Sequence, residues 1–400
     1  MNPQQSKAFE LANVLAMHGK AFRLNHKLPQ QHLKTLFAIE SCRTSILGAR
    51  VYSCDDCGHQ VIVYNSCRNR HCPKCQNLNR SKWVEDLSAT LLPMRHFHVV
   101  FTIPCELNTL ALVNQQCVYT ILFKTASKSL LTLAQDHKHL GIKTGMVALL
   151  HTWGQNLMDH PHLHTIIPAG GWSELNQYWK ASPKKFFLPV RVLSELFKAK
   201  FLIALKAAYK NNELTFEGEI SVLKPKKQFQ KFIDDLFDKN KKWVVYTKAP
   251  FKNHAGIVKY LGRYSHRVAI DNKRIVNVDK QSVSFRWKDY RNKGLYKTMT
   301  LAPDEFIRRF LLHVLPAGFC KIRYYGLYAA KNRASALNQC RIIMGIKKPK
   351  NLFEGLKWQD ILLLTTGINV CICPACAKGT MVLTHAMDGS KRAPPIHQLS

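Results

Sequence analysis

Acid is scarce in this chain. Among 400 residues, 59 Lys and Arg stand against only 25 Asp and Glu, a formal net charge of +34. That balance points away from basic partners and toward a polyanion. A glycine-rich phosphate loop of the G-x-x-x-x-G-K-[ST] type is missing, which argues against an intrinsic NTPase motor. No apolar run reaches the roughly 18 residues that a membrane span needs. The opening stretch, Met1-Asn2-Pro3-Gln4-Gln5-Ser6-Lys7, is polar where a secretory leader would be apolar. No membrane association is expected, and the location expected is cytoplasmic, at the nucleoid when the protein acts.

What is present is a globular composition, 46% hydrophobic, in a chain long enough for two or three domains. The positive charge is uneven. Lys and Arg exceed Asp and Glu by 7 in residues 1–80, by 1 in 81–180, by 25 in 181–350 and by 1 in 351–400. The second half of the core is therefore the expected DNA-facing part. A basic RNA-binding protein is the bland alternative.

Six of the thirteen cysteines fall in Cys-x-x-Cys pairs. In a reducing compartment such pairs point to zinc rather than to disulfides. Cys54-x-x-Cys57 and Cys72-x-x-Cys75 flank a β-prone run, Val61 to Tyr64, which is the layout of a zinc ribbon. Zinc takes four soft ligands in a tetrahedron, and two knuckles supply them. The expected ligands are Cys54, Cys57, Cys72 and Cys75, with Cys67, His71 and His59 as spare donors. Arg68, Arg70, Lys74 and Arg80 around the second knuckle suggest contact with DNA backbone. A third knuckle, Cys373-x-x-Cys376, is half a site that His385, Cys371 or a donor from elsewhere could complete.

Helical spacing covers 7–47, 81–93 and 106–140. Strands are expected at 97–103, 146–157 and 163–168, the last two as an antiparallel hairpin. Residues 181–250 read as a lysine-rich, mostly helical insertion. Residues 268–276 read as a hairpin, with further strands at 282–287 and 297–301. A helix begins at Pro303, with Arg308 and Arg309 facing out toward phosphate. Arg323-Tyr324-Tyr325 is a basic-aromatic cluster suited to stacking unpaired bases. The domain division expected is 1–92 (helices and zinc-binding domain), 93–330 (core) and 331–400 (tail).

Two motifs carry chemistry. His162-Leu163-His164 puts two imidazoles on one strand face, able to hold a divalent cation. A hairpin register with residue 157 opposite 162 would bring Gln155 opposite His164 as third ligand, with His151 and His160 as rivals. About a hundred residues on, Tyr260 and Tyr264 stand at helical i, i+4 spacing beside Lys259, Arg263 and Arg267. A metal for phosphate next to two hydroxyl nucleophiles describes a DNA strand-transfer site.

In the ribbon segment 65–76, the strand His98 to Pro104, the metal segment 153–171, the tyrosine segment 258–270 and Phe306 to Pro316, the sequence resembles the two-tyrosine, rolling-circle transposases of bacterial insertion sequences, of the HUH (His-hydrophobe-His) class. The resemblance implies an α+β fold, with a zinc-binding domain preceding a nuclease core whose antiparallel sheet is flanked by helices. It implies Tyr260 and Tyr264 as nucleophiles, and Mg2+ or Mn2+ on His162 and His164. The implied partners are single-stranded transposon ends, target DNA and the host replication machinery. A plasmid replication initiator or relaxase uses the same chemistry, and a zinc-ribbon DNA-binding regulator without catalysis is the alternative of another class.

Overall fold

The computed structural model describes residues 9–183, 187–238, 243–251, 269–290 and 294–389, with the single positions 256, 258, 262 and 292. Its centre is a five-stranded antiparallel sheet. The strands, in chain order, are β3 (His96–Thr102), β4 (Gly145–Trp153), β5 (Asp159–Pro168), β8 (Val245–Phe251) and β12 (Ile322–Gly326). Their order across the sheet is β12-β4-β5-β3-β8. The remaining strands form three smaller sheets: β1 (Ala49–Cys54) and β2 (Gln60–Tyr64) with β13 (Met381–Met387); β6 (Gly170–Ser173) with β7 (Tyr178–Ala181); and β9 (Ile275–Val278), β10 (Val283–Asp289) and β11 (Leu295–Leu301). The α+β class expected from the sequence is the class observed.

Strand alternation gives the central sheet two unlike faces. One face presents Phe97, Val99, Phe101, Ala148, Leu150 and Leu163 to the main core, under helices α5 (Gln115–Gln135) and α6 (Val190–Lys210). Both helices are apolar on the side they bury, which is why 106–140 reads with helical period and 181–250 as mostly helical. The segment read as a basic insertion is thus half core. It also ends in β8, a central-sheet strand that the expected insertion hides: Val245↔Phe101 and Thr247↔Val99 are paired.

The other face is closed at one end and open at the other. At the closed end Val147, Leu149 and Ile166 pack with Leu87 of α3 (Gln76–Thr90), with Tyr328 and with Val258. Gly262, four residues beyond Val258, approaches the same helix so closely that a Cβ there would lie 2.5 Å from Val84 Cγ2. Gly262→Ala is expected to destabilise this packing by about 1–3 kcal/mol. Shrinking the neighbour with Val84→Ala in the same chain should recover most of the loss in Tm.

The first two helices, α1 (Leu11–Asn25) and α2 (Gln30–Glu40), do not form a unit with the zinc module alone. Leu11, Val14, Phe22, Leu36 and Ile39 share a core with Ile275, Phe285 and Phe306, the last from α8 (Pro303–Leu311). The expected boundary at residue 92 is therefore crossed by packing. So is the one at 331, because β13 adds antiparallel to β1. The hairpin expected at 268–276 does not form among the described residues; β9 pairs with β10 instead. Among the described residues no helix is long and apolar enough to cross a membrane.

Candidate functional site

At the open end of the second face, His151 from β4 meets His162 and His164 from β5. The register is His151↔His162 and Leu149↔His164, not the expected pairing of Gln155 with His164. The cause is the turn. Trp153↔Asp159 is the last pair, so residues 154–158 form the loop. Leu157 takes a left-handed conformation (φ 62°), unusual for a branched side chain, and is fully buried in the core shared with α8.

Three basic residues hold that turn by consecutive carbonyls. Arg274 donates to Gln155 O, Arg309 to Asn156 O (3.1 Å) and His313 Nε2 to Leu157 O (3.0 Å). Thr152 closes the set through His313 Nδ1 at 3.1 Å, and burial lowers the His313 pKa to about 4, which keeps it neutral. Arg309 is therefore a positioning residue rather than the outward phosphate contact expected. It and Arg308 both engage Glu305, whose carboxyl they hold down at about 2. Arg308 remains half exposed.

One ligand atom from each of His151, His162 and His164 lies within 4.8 Å of the others. His162 Nδ1 donates to His160 O at 2.6 Å, which leaves its Nε2 lone pair facing His164 Nε2 at 3.1 Å. Two nitrogens bonded to one cation at about 2.1 Å stand roughly 3.0–3.4 Å apart. The spacing fits a shared divalent ion. Burial lowers the His162 pKa to about 4, so the ring is neutral, as a metal ligand must be. Of the two rivals the sequence offered, His151 joins the cluster and His160 does not. Gln155 lines the adjoining cavity of about 750 Å3, with Trp287, Lys288 and Tyr290 of the β10–β11 hairpin opposite.

Sequence reading missed His98. It belongs to one of the three His-x-His pairs, yet its neighbour on the next strand is what matters. His98 Nε2 lies 2.8 Å from His164 Nδ1, nearly parallel to that ring. If His164 Nδ1–H donates to His98, its Nε2 is kept for the ion. Partners of this kind set ligand tautomer and orientation. His98→Ala should weaken divalent-ion binding by about 10–100-fold, read by titration calorimetry, while His96→Ala should not. His96 instead bonds the Tyr328 hydroxyl at 3.0 Å.

Eight of the cysteines form two clusters, and neither is the expected ribbon. Cys42, Cys67, Cys72 and Cys75 make one; Cys54, Cys57, Cys373 and Cys376 make the other. Sulfurs around tetrahedral zinc stand roughly 3.8 Å apart, from bonds of about 2.3 Å. Cys42–Cys75, Cys67–Cys75 and Cys54–Cys376 are at 3.5, 3.6 and 3.7 Å. So the two N-terminal knuckles serve different centres, and the half-site in the tail is completed by Cys54 and Cys57. Hydrogen bonds among the four crowded thiols lower Cys75 and Cys42 and raise Cys67 and Cys72. A bound cation relieves that crowding. His71 is no donor to the first centre; Arg70 stands 3.3 Å from its Nε2, and burial drives its pKa to about 3. Arg70 itself is spent on the carbonyls of Phe319 and Pro316, both at 2.6 Å. Lys74 pairs with Glu10. Neither is a free phosphate contact.

Tyr260, Tyr264, Lys259, Arg263 and Arg267 lie outside the described residues. Arg323 stacks on Phe123 and Phe319, 4.4 and 5.1 Å from the ring centres, and is part of the packing under α5.

The two tetracysteine clusters are closed ligand sets of the structural-zinc kind, whereas the imidazole cluster opens on a cavity. Comparison with known proteins supplies the family. A family model described as "Putative transposase" matches residues 145–336, and one described as "Transposase zinc-binding domain" matches residues 14–103. A protein described as "Putative transposase y4qJ" from Sinorhizobium fredii is 44% identical over 383 residues, covering 95% of this chain and 96% of that one. The "Transposase for insertion sequence element IS801" of Pseudomonas savastanoi pv. phaseolicola is 27% identical over 306 residues, 74% of this chain and 70% of its own length. No solved structure matches. The chain belongs to this transposase family, of the IS91 type and with an N-terminal transposase zinc-binding domain. It is a DNA-cleaving enzyme, and its cysteine clusters are structural zinc sites.

Proposed function

We propose that this transposase nicks and rejoins single-stranded DNA at the ends of its element through 5′-phosphotyrosine intermediates, in rolling-circle transposition. The observation that carries the reading is the convergence of His151, His162 and His164 at the open end of an antiparallel sheet. These three residues would hold the divalent ion, which when bound polarises the scissile phosphate and offsets charge on its oxygens. Three imidazoles without a carboxylate suit Mn2+ better than Mg2+.

Tyr260 and Tyr264 are the nucleophiles of this reading. A phenol with an ordinary pKa near 10 is a weak nucleophile at neutral pH, and Lys259, Arg263 and Arg267 beside it favour the phenolate. The phenolate oxygen bonds to phosphorus, the bond to the 3′ oxygen breaks, and that oxygen leaves as a 3′-hydroxyl after taking a proton. The phosphodiester energy stays in the phosphotyrosine, so attack by a 3′-hydroxyl rejoins the strand without ATP. That accords with the missing nucleotide motor. Two tyrosines allow two sequential transfers. Host replication enzymes would copy the exposed strand, and the half-exposed Arg308 would add a phosphate contact.

The test is cleavage of end-labelled strands from the element's own flanks with a panel of metals. Single strands should be cut in preference to duplex, and Mn2+ should outperform Mg2+. Duplex cutting that proceeds in EDTA would sink the reading.

A further inference from the structure

A second cavity lies on the same sheet face as the histidines. It encloses about 940 Å3 between α3, β12 and the helical residues after β12. Tyr324 on β12 pairs with Val147 of β4. His151 is four residues further along that strand, on the same face, roughly 13 Å away at about 3.3 Å per residue.

The wall of this cavity is aromatic and basic. Trp83 of α3 and Tyr324 both line it, and the Arg333 guanidinium stacks 4.3 Å from the Tyr324 ring centre. Arg341 is buried, donating to Thr90 O at 2.7 Å at the end of α3, and its Nε has no partner among the described residues. Lys348 and Lys350 stand exposed on the rim. Two acids also line the cavity, Asp86 and Glu354; Asp86 is engaged by Asn351 at 2.7 Å. Residues Arg333–Leu337 form a π-helical turn, a rare distortion that recurs at binding sites, and it places Arg333 and Leu337 in the wall. The histidine site uses none of these groups. Flat rings, a stacked guanidinium and converging cations are what an unstacked nucleobase and its phosphates require. The volume is that of a small-ligand pocket.

We propose that this cavity holds one flipped-out nucleotide of the same DNA strand that crosses the histidine site. The inference rests on the single-strand reading above and names where that strand is gripped. The base stacks on Trp83 and the Arg333–Tyr324 pair, and the flanking phosphates meet Arg341, Lys348 and Lys350.

The test uses the full chain without divalent metal, so that it does not depend on cleavage. Oligo(dT) carrying a single 5-iododeoxyuridine is photocrosslinked and the attached peptide mapped. In parallel, fluorescence anisotropy compares wild type with Arg333→Ala and with the surface pair Lys348→Glu/Lys350→Glu. Crosslinks to Trp83 or Tyr324, with about tenfold or greater loss of single-strand affinity and little change for duplex, are expected. If that result appears but no phosphotyrosine forms under any metal, the nuclease reading fails and the pocket stands. Crosslinks confined to other peptides with unchanged affinity overturn the pocket and leave the nuclease reading intact. Equal loss for single strand and duplex reduces the site to a phosphate patch and overturns the inference. So does displacement of the oligonucleotide by micromolar dTMP, which would mark a free-nucleotide site.

Discussion

His151→Ala should lower metal-dependent strand cleavage by about 10^3-fold, some 4 kcal/mol of lost stabilisation, while Gln155→Ala costs less than about fivefold. The contrast separates the observed register from the one the sequence suggested. His151 sits directly across from His162, and its ring centre is 4.5 Å from that of His164. On the proposed reading, removing it would take one of three imidazoles from a cluster that has no carboxylate to replace it. Gln155 is in the turn, and its backbone carbonyl, the part of it that Arg274 holds, survives substitution. Single-turnover cleavage at saturating Mn2+ measures both variants. A larger loss for Gln155→Ala than for His151→Ala would show that the working site is built on the other register.

The second large effect concerns zinc. Metal analysis of the purified chain should give about two zinc ions, one per tetracysteine cluster. Structural zinc contributes about 10–16 kcal/mol of apparent binding energy, as much as or more than the roughly 5–15 kcal/mol that holds a whole domain together. Cys42→Ser should therefore unfold what the first centre anchors. Cys42 and Cys72 lie in the same core as α1, α2, β9 and β10, so the loss should reach the hairpin over the histidine cavity. Cys373→Ser should act differently. It should drop the zinc content by one and release the β13 segment to protease, with the first centre intact. Circular dichroism melting and limited proteolysis read the two outcomes. A single zinc in the wild type, lost equally in both variants, would contradict two separate centres.

The sequence showed each knuckle, but not which knuckles meet. Cys54 and Cys376 are 322 positions apart, and no local pattern announces such a pair. Cys42 was invisible for a related reason: it is a lone cysteine just after α2, drawn into the centre only by packing. His162 and His164 were legible because a period of two on a strand is a local property. Their third partner was not, because it depended on where the hairpin turned, and that was fixed by Leu157 burying itself in a distant core. The run Phe306 to Pro316 carries part of the family resemblance, and its work is long-range too: Arg309 and His313 hold the carbonyls of the same turn. Strand β8 escaped because a lysine-rich stretch precedes it and Lys248 and Pro250 interrupt its apolar run.

The most direct test of the central claim is a covalent-adduct assay. The purified chain is incubated with labelled single-stranded DNA from the flanks of its own gene, with Mn2+ or Mg2+, and resolved on a denaturing gel. The account predicts a shifted, EDTA-sensitive band that carries a 5′-phosphotyrosine. It should be lost in Tyr260→Phe/Tyr264→Phe, with the single variants ordering the two tyrosines. Strand cleavage that leaves no adduct, or an adduct that persists in the double variant, would contradict it.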